Sequence, residues 1–183
     1  RRQRQMCIRD SYIEDRGKKY LFWGSFRGIY GIELSNDGLS VKKGAKLHQV
    51  AGTAYEGTYI HKKDDYYYFF ASIGTCCEGL KSTYTTVVGR SKKLFGPYVD
   101  KNGNKMLDNN HEILIHQNES FVGTGHNSEI VRDKAGNDWV LYHAVSTTSP
   151  GGRVLMLDKI DWKDGWPSVS GNSPSLEFER PVL

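Results

Sequence analysis

The chain alternates between short runs of aromatic and β-branched residues and short polar turns. Apolar residues spaced at i, i+3 and i+4 do not continue through any longer window, so the period of an amphipathic helix is missing. The apolar runs are short and are bounded by Gly, Asn, Asp and Lys, which is typical of β-strands separated by tight turns. The pattern therefore predicts an all-β fold.

A repeated unit occurs three times along the chain. Three similar segments begin it, at residues 11–15, 58–62 and 128–132, and each is followed by a polar turn. An aromatic strand comes next, at 20–23, 66–70 and 139–142, and then a third strand, at 28–34, 84–88 and 154–157. Three such strands with a weaker fourth edge strand make up the antiparallel blade of a β-propeller. We predict about three blades, which are too few to close a ring.

Composition and charge narrow the classes of function. The 183 residues fit one domain, and 12% aromatic residues with 20 glycines favour a β-rich, turn-rich protein. The net charge of +4 comes from basic residues that are scattered among 21 acidic ones, so we expect no nucleic-acid partner. No apolar run is long enough to span a membrane as a helix. Three cysteines, two of them adjacent, do not make a disulfide framework.

The first eleven residues do not read as the start of a domain. Their sequence, RRQRQMCIRDS, matches the translation of a transposon-end oligonucleotide that is used to prepare sequencing libraries. Segments of this kind are set aside before the fold is considered. We expect residues 1–11 to be non-native and residues 12–183 to form part of a propeller domain that lacks its earlier blades.

Two ionisable residues stand at equivalent places in the repeat. Glu56 and His126 each lie two residues before the first strand of their units. The innermost strands of a propeller surround its axis, so both side chains are expected at one end of the channel. A carboxyl group partly removed from water beside Tyr55 and Tyr59 holds its proton more firmly, as a general acid must. A salt-bridged turn residue and a buried structural histidine are the alternatives.

Four longer motifs match a known family. They are VAGTAYEGTYI at 50–60, YYYFFASIGTCCEG at 66–79, GTGHNSEIV at 123–131 and DWVLYHA at 138–144. In this order they resemble glycoside hydrolase family 43, most closely its arabinan endo-1,5-α-L-arabinanases, from Tyr12 to Pro167. The resemblance implies a five-bladed β-propeller, of which this chain carries about three C-terminal blades. It also implies hydrolysis of glycosidic bonds with inversion.

The resemblance assigns roles to three ionisable residues. Glu56 matches the general acid of the family, and His126 matches the histidine that helps to hold a central calcium ion, largely through water. Asp10 lies near the position of the aspartate that tunes the acid, but it is one residue out of register and lies in the segment expected to be non-native. The general base belongs to a blade that this chain does not contain.

The resemblance also implies residues that contact the substrate. Ser25 and Phe26 follow an aromatic strand and are expected to line the cleft, where an aromatic ring can lie against a sugar; a simple strand end is the alternative. Cys76 and Cys77 match a family loop near the same cleft, and they can form either a vicinal disulfide or a pair of packed thiols.

The sequence therefore predicts a glycosidase that cleaves α-1,5-L-arabinan by an inverting acid/base mechanism. The alternatives are an exo-acting α-L-arabinofuranosidase or β-xylosidase of the same family, and a non-catalytic carbohydrate-binding propeller. We expect the fragment alone to be inactive and the full-length protein to be a monomer whose partner is a polysaccharide or oligosaccharide, arabinan. Because arabinan is an extracellular polymer, we expect a secreted or periplasmic protein, with any signal peptide upstream of this chain.

Overall fold

The chain folds into β-strands joined by turns and short loops. A computed structural model describes residues 10–149, 151–177 and 180–183. Within these ranges the secondary structure consists of strands and three short 3₁₀ turns, at Gly79–Lys81, Met106–Asp108 and Ser170–Asn172. The same ranges contain no helix with the length and apolar character needed to cross a membrane. The predicted all-β fold is confirmed.

The first sheet contains four antiparallel strands in their order along the chain. They are β1 (Ser11–Asp15), β2 (Lys18–Gly24), β3 (Ile29–Glu33) and β4 (His48–Ala51). A tight turn joins β1 to β2, and its Gly17 has a φ of +74°, a conformation that glycine adopts without strain. Strand β4 is the short fourth strand that the repeat predicts.

A larger sheet contains two further groups of four strands. One group is β5 (Glu56–Lys63), β6 (Tyr66–Ile73), β7 (Thr85–Ser91) and β8 (Glu112–Ile115). After β9 (Phe121–Gly125), the other is β10 (Ile130–Arg132), β11 (Asp138–Ser146), β12 (Arg153–Lys163) and β13 (Trp166–Ser168). Strand β9 joins the two groups because it pairs with β11 and, at one residue pair, with β7.

The start of the third group differs from the prediction. The sequence predicts one strand at 128–132, whereas the structure has the shorter β10 there and places β9 before it. His126 lies between the two strands with a φ of +53°. This left-handed conformation interrupts an extended strand, which is why the two strands are separate.

Strand β6 is buried on both faces. Successive residues of a strand point to opposite sides, so its side chains divide between two hydrophobic clusters. Tyr67, Phe69 and Ala71 belong to a cluster with residues of β2, β3 and β4. Tyr68 and Phe70 belong to a second cluster with residues of β11 and β12. The middle group of strands therefore packs against the first group on one side and the third on the other.

Two adjacent lysines at the end of β5 connect the three groups by charge. Lys62 Nζ donates to Asp15 in β1, and Lys63 Nζ donates to Asp138 in β11 over 3.0 Å. The two carboxylates are only 9% and 4% exposed, so water shields these bonds weakly. Because adjacent side chains point to opposite faces, one strand reaches both of its neighbours.

Asp138 is the more strongly held of the two carboxylates. Its burial favours the neutral form, but hydrogen bonds from Arg132, Lys63 and Trp162 outweigh that effect and lower its pKa to about 2. An aspartate whose pKa is lowered by folding stabilises the folded state above its unfolded-state pKa of about 4. This contribution is therefore present at neutral pH and is lost as the pH falls from about 4 towards 2.

We expect Asp138→Asn to lower the free energy of unfolding by about 2 kcal/mol at pH 7, because Lys63 and Arg132 lose a charged partner. Urea unfolding measures the change, and the difference from the wild type should shrink below pH 4. Asp161→Asn, at an exposed carboxylate on β12, is the control and should be neutral. A variant at position 138 as stable as this control would contradict the account.

Candidate active site

Glu56 is the first residue of β5 and is almost completely buried, with 4% of its surface exposed. It pairs with Ser72 of β6, and the register then shifts before the pairing resumes at Tyr59. Gly57, inside this irregularity, has a φ of +64°, which favours glycine. The strand thus begins with a local distortion, which sets the carboxyl group apart from the regular pleat.

Two hydroxyl groups hold the carboxyl group of Glu56. Tyr84, just before β7, donates to Oε1 over 2.7 Å. Ser25, just after β2, donates to Oε2 over 3.1 Å. Hydrogen bonds to a carboxylate are among the stronger ones in proteins. Because the two donors come from different groups of strands, the orientation of the carboxyl group depends on how those groups pack.

Tyr84 is itself held in place by close packing. It is fully buried, and its ring lies against Gly125 at the end of β9, where a Cβ would be only 2.1 Å from Tyr84 Cδ1. The ring stacks on His143 of β11 with centroids 5.9 Å apart. The ring of His143 in turn lies 6.0 Å from that of His126. An aromatic series therefore connects the tyrosine that contacts Glu56 to the histidine singled out by the sequence.

His126 lies close to Glu56 through the intervening Gly57. A Cβ at Gly57 would be 3.7 Å from His126 Nδ1 and 3.5 Å from the hydroxyl of Tyr84. The backbone N–H of His126 donates to the Oγ of Ser72, the residue that pairs with Glu56 in the sheet. The structure thus brings together the two ionisable residues that the repeat placed at equivalent positions.

Ser25 and Phe26 lie beside the same carboxyl group. In addition to the Ser25 bond, the backbone N–H of Phe26 donates to the carbonyl oxygen of Tyr55 over 2.9 Å. Phe26 is 47% exposed and has a φ of +43°. An exposed aromatic ring in a left-handed conformation next to a buried carboxyl group is suited to contact a ligand, and its role as a substrate contact stays a prediction.

Cys76 and Cys77 lie in the loop after β6 and are not joined by a disulfide. Arg153, at the start of β12, donates to the carbonyl oxygen of Cys76 over 3.0 Å and to the Sγ of Cys77 over 3.1 Å. The hydrogen bond with Cys76 and partial burial raise the pKa of Cys77, and the nearby guanidinium only partly opposes this. Of the two states that the sequence allowed, the structure contains the pair of thiols.

Asp10 immediately precedes β1 and is exposed. Partial removal of its carboxyl group from water raises its pKa. Its neighbour Ser11 accepts a hydrogen bond from the backbone N–H of Ile60, four residues beyond Glu56 along β5. The other residues of the segment expected to be non-native, 1–9, lie outside the described residues.

Two buried side-chain oxygen atoms belong to residues that are close in sequence to Glu56 and His126. Thr58 Oγ1 and Asn127 Oδ1 are buried and have no hydrogen-bond partner within the described ranges. One lies two residues after Glu56 and the other directly follows His126. Hard cations such as calcium prefer oxygen ligands. The described part of the chain contains no cluster of three or more His, Cys, Asp or Glu side chains placed to hold a metal. The two oxygen atoms are of the kind that a calcium ion prefers, and a cation at this place stays a prediction.

Tyr84, His143 and Ser72 belong to this site, and the sequence analysis did not identify them. Tyr84 is separated from Glu56 by 28 residues along the chain, and the sequence pattern indicates only that it begins a strand. His143 lies within a motif that matched the family but carried no assigned role. The closely spaced glycines of Gly123-Thr124-Gly125 were a usable signal, because a glycine in a strand often marks the close approach of another group.

The fold and the site define an all-β protein of the β-propeller class, with a buried carboxyl group where one group of strands begins. The model of the family described as glycosyl hydrolases family 43 matches residues 2–167. The chain belongs to this family.

The chain is similar to several arabinan-cleaving proteins. It is 36% identical over 172 residues to the extracellular exo-α-(1→5)-L-arabinofuranosidase ArbA of Cellvibrio japonicus, covering 85% of this chain and 49% of the relative. It is 33% identical over 158 residues to the extracellular endo-α-(1→5)-L-arabinanase 1 of Bacillus subtilis, covering 83% and 47% respectively. The chain thus spans about half the length of the curated relatives it matches.

Solved structures give the same result. The arabinanase of Cellvibrio cellulosa in complex with arabinohexaose superposes with a TM-score of 0.82 at 32% identity, covering 89% of this chain and 57% of that one. An exo-1,5-α-L-arabinanase from a bovine ruminal metagenomic library gives a TM-score of 0.81 at 34% identity, covering 91% and 58%. The similarity therefore extends through nearly the whole of this chain.

We expect Gly125→Ala to destabilise the protein by about 1–3 kcal/mol, because the new methyl group would overlap the ring of Tyr84. Thermal unfolding measures the loss. Gly151→Ala is the matched control, since a Cβ at that position meets nothing within 4 Å. Equal melting temperatures for the two variants would show that Tyr84 is not packed against Gly125.

Proposed function

We propose that the protein containing this chain is a glycosidase that hydrolyses α-1,5-linked L-arabinan with inversion, with Glu56 as the general acid. The observation that supports this most directly is the buried carboxyl group of Glu56, oriented by Tyr84 and Ser25. The relatives from Cellvibrio japonicus and Bacillus subtilis, whose names describe cleavage of α-(1→5)-linked arabinan, support the choice of substrate.

The proposed chemistry is a single displacement at the anomeric carbon. The protonated carboxyl group of Glu56 gives its proton to the glycosidic oxygen as the bond from that oxygen to the anomeric carbon breaks. A water molecule attacks the opposite face of the sugar and loses its proton to a second carboxylate. Inverting glycosidases hold the two carboxyl groups about 6.5–9.5 Å apart, which leaves room for that water.

We propose that the second carboxylate lies outside this chain. The complete domain is a five-bladed propeller, and the three groups of four strands described above are three of its blades. The general base then lies on an earlier blade, and the chain by itself is inactive. The coverage of about half of each relative supports this division. Asp10 is assigned no part in the reaction.

We further propose a central calcium ion near His126. Asn127 Oδ1 and Thr58 Oγ1 are the oxygen atoms that support this, since buried polar atoms without partners are rare. When bound, a calcium ion would supply positive charge beside the catalytic carboxyl groups. The residues of this chain would hold its shell of water and keep His126 in place through Ser72.

Export and a monomeric state complete the proposal. Both relatives are named as extracellular proteins, and arabinan is a polymer outside the cell. The relatives do not decide between endo and exo action, because one is named as an exo-acting enzyme and the other as an endo-acting enzyme. A product analysis separates the two, since endo action releases a series of oligosaccharides and exo action releases one short product.

In the full-length protein, Glu56→Gln should slow the release of reducing sugar from unactivated arabinan at least about 100-fold, because the amide cannot serve as the acid. Binding of arabinan oligosaccharides, measured by calorimetry, should change little. Glu129→Gln, at an exposed residue two positions beyond Asn127, is the control and should be as active as the wild type. If the Glu56→Gln variant is as active as that control, Glu56 is not the general acid.

Chelation with EDTA should lower the activity of the full-length protein without unfolding it, and calcium should restore the activity. The reason is that the strands pack through hydrophobic clusters and ion pairs that do not depend on a metal. Activity and circular dichroism are followed in the same sample. His126→Ala should be insensitive to the chelator, whereas His116→Ala, at an exposed histidine, should respond as the wild type does. An enzyme indifferent to EDTA would exclude the calcium ion.

A further inference from the structure

The two oxygens of the Glu56 carboxyl group lie in different environments. Oε1 accepts a hydrogen bond of 2.7 Å from Tyr84, whose side chain is fully buried. Oε2 accepts a longer one, of 3.1 Å, from Ser25, which is partly buried and precedes the exposed Phe26. Oε1 is therefore bonded to a fully buried side chain, and Oε2 to a partly buried one next to an exposed ring.

Tyr84 cannot turn away from Oε1 without disturbing its packing. Gly125 leaves no space on one side, and the ring of His143 stacks at an interplanar angle of 15°. A phenol hydroxyl has a single proton to donate, and this one is directed at Oε1. Oε1 is thus engaged as an acceptor whichever form the carboxyl group has.

We infer that Tyr84 is a positioning residue for Glu56, and that by holding Oε1 it assigns delivery of the proton to Oε2, beside Ser25. This inference rests on the proposed function of Glu56 as the general acid. The O–H bond at Oε2 breaks, the proton passes to the leaving glycosidic oxygen, and the carboxylate that remains is stabilised by the hydroxyls of Tyr84 and Ser25. Tyr84 itself does not touch the substrate.

The hydrogen bond from Tyr84 to Oε1 of Glu56 should affect proton transfer in a direction that can be measured. A donor at Oε1 stabilises the ionised carboxylate more than the neutral acid, because charge-assisted bonds are the stronger ones. Removing the donor therefore takes stabilisation away from the carboxylate that forms as the proton leaves, so proton transfer to a poor leaving group becomes slower.

The test is Tyr84→Phe in the full-length protein, which removes one oxygen atom and keeps the ring. On arabinan, kcat should fall roughly 10-fold with KM nearly unchanged. With a nitrophenyl arabinofuranoside, whose leaving group needs little protonation, kcat should stay within about 2-fold of the wild type.

Tyr98→Phe is the matched control. Tyr98 is also fully buried, and its hydroxyl donates over 2.5 Å to the carbonyl oxygen of Leu94. Its loss should lower the melting temperature by an amount similar to that for Tyr84→Phe, without changing how kcat depends on the leaving group. A Tyr84 variant whose leaving-group dependence matches that of the Tyr98 variant would overturn the inference.

Ser25→Ala provides a second test that does not disturb the core. Because its bond to Oε2 is longer and partly exposed, its effect on kcat with arabinan should be smaller than that of Tyr84→Phe. A larger loss of kcat for Ser25→Ala would reverse the assignment of the two oxygens. Glu56→Gln, assayed alongside, separates the two proposals: if it is inactive on arabinan and the Tyr84 variant behaves as the control, only the inference about Tyr84 fails.

Discussion

The burial of both faces of the middle strands is the constraint on which the rest of the structure depends. Strand β6 sends alternate aromatic side chains into two separate hydrophobic clusters, so the middle group must be covered on both sides. Lys62 and Lys63 add ion pairs on the same two sides, since Lys62 binds a buried aspartate in the first group of strands and Lys63 binds one in the third group. The packing therefore sets how the groups of strands meet.

The candidate active site exists because of that packing. Glu56 belongs to the middle group, Ser25 to the first group, and Tyr84 is pressed against Gly125 near the third. A carboxyl group held from both sides in this way needs no reorganisation when its charge changes, which is how preorganised sites favour catalysis. Fold stability and the proposed acid catalysis thus depend on the same contacts.

Much of the fold and part of the site could be predicted from the sequence. The repeat located the strands and paired Glu56 with His126, because both precede the first strand of a unit. The left-handed break at His126 was missed, since nothing in the residue type requires a φ of +53°. Tyr84 was missed because its contact with Glu56 comes from sheet packing over 28 residues, and strand periodicity carries no such information. The state of Cys76 and Cys77 was left open for the same reason.

The most direct test of the central claim is the anomeric form of the first sugar that the full-length protein releases. An α-1,5-linked arabinan oligosaccharide is incubated with the protein inside the NMR tube, and the anomeric protons are followed before mutarotation mixes the two forms. The account predicts that the β-anomer appears first, because water attacks the face opposite the leaving group. Initial release of the α-anomer, or no cleavage at all, would contradict it.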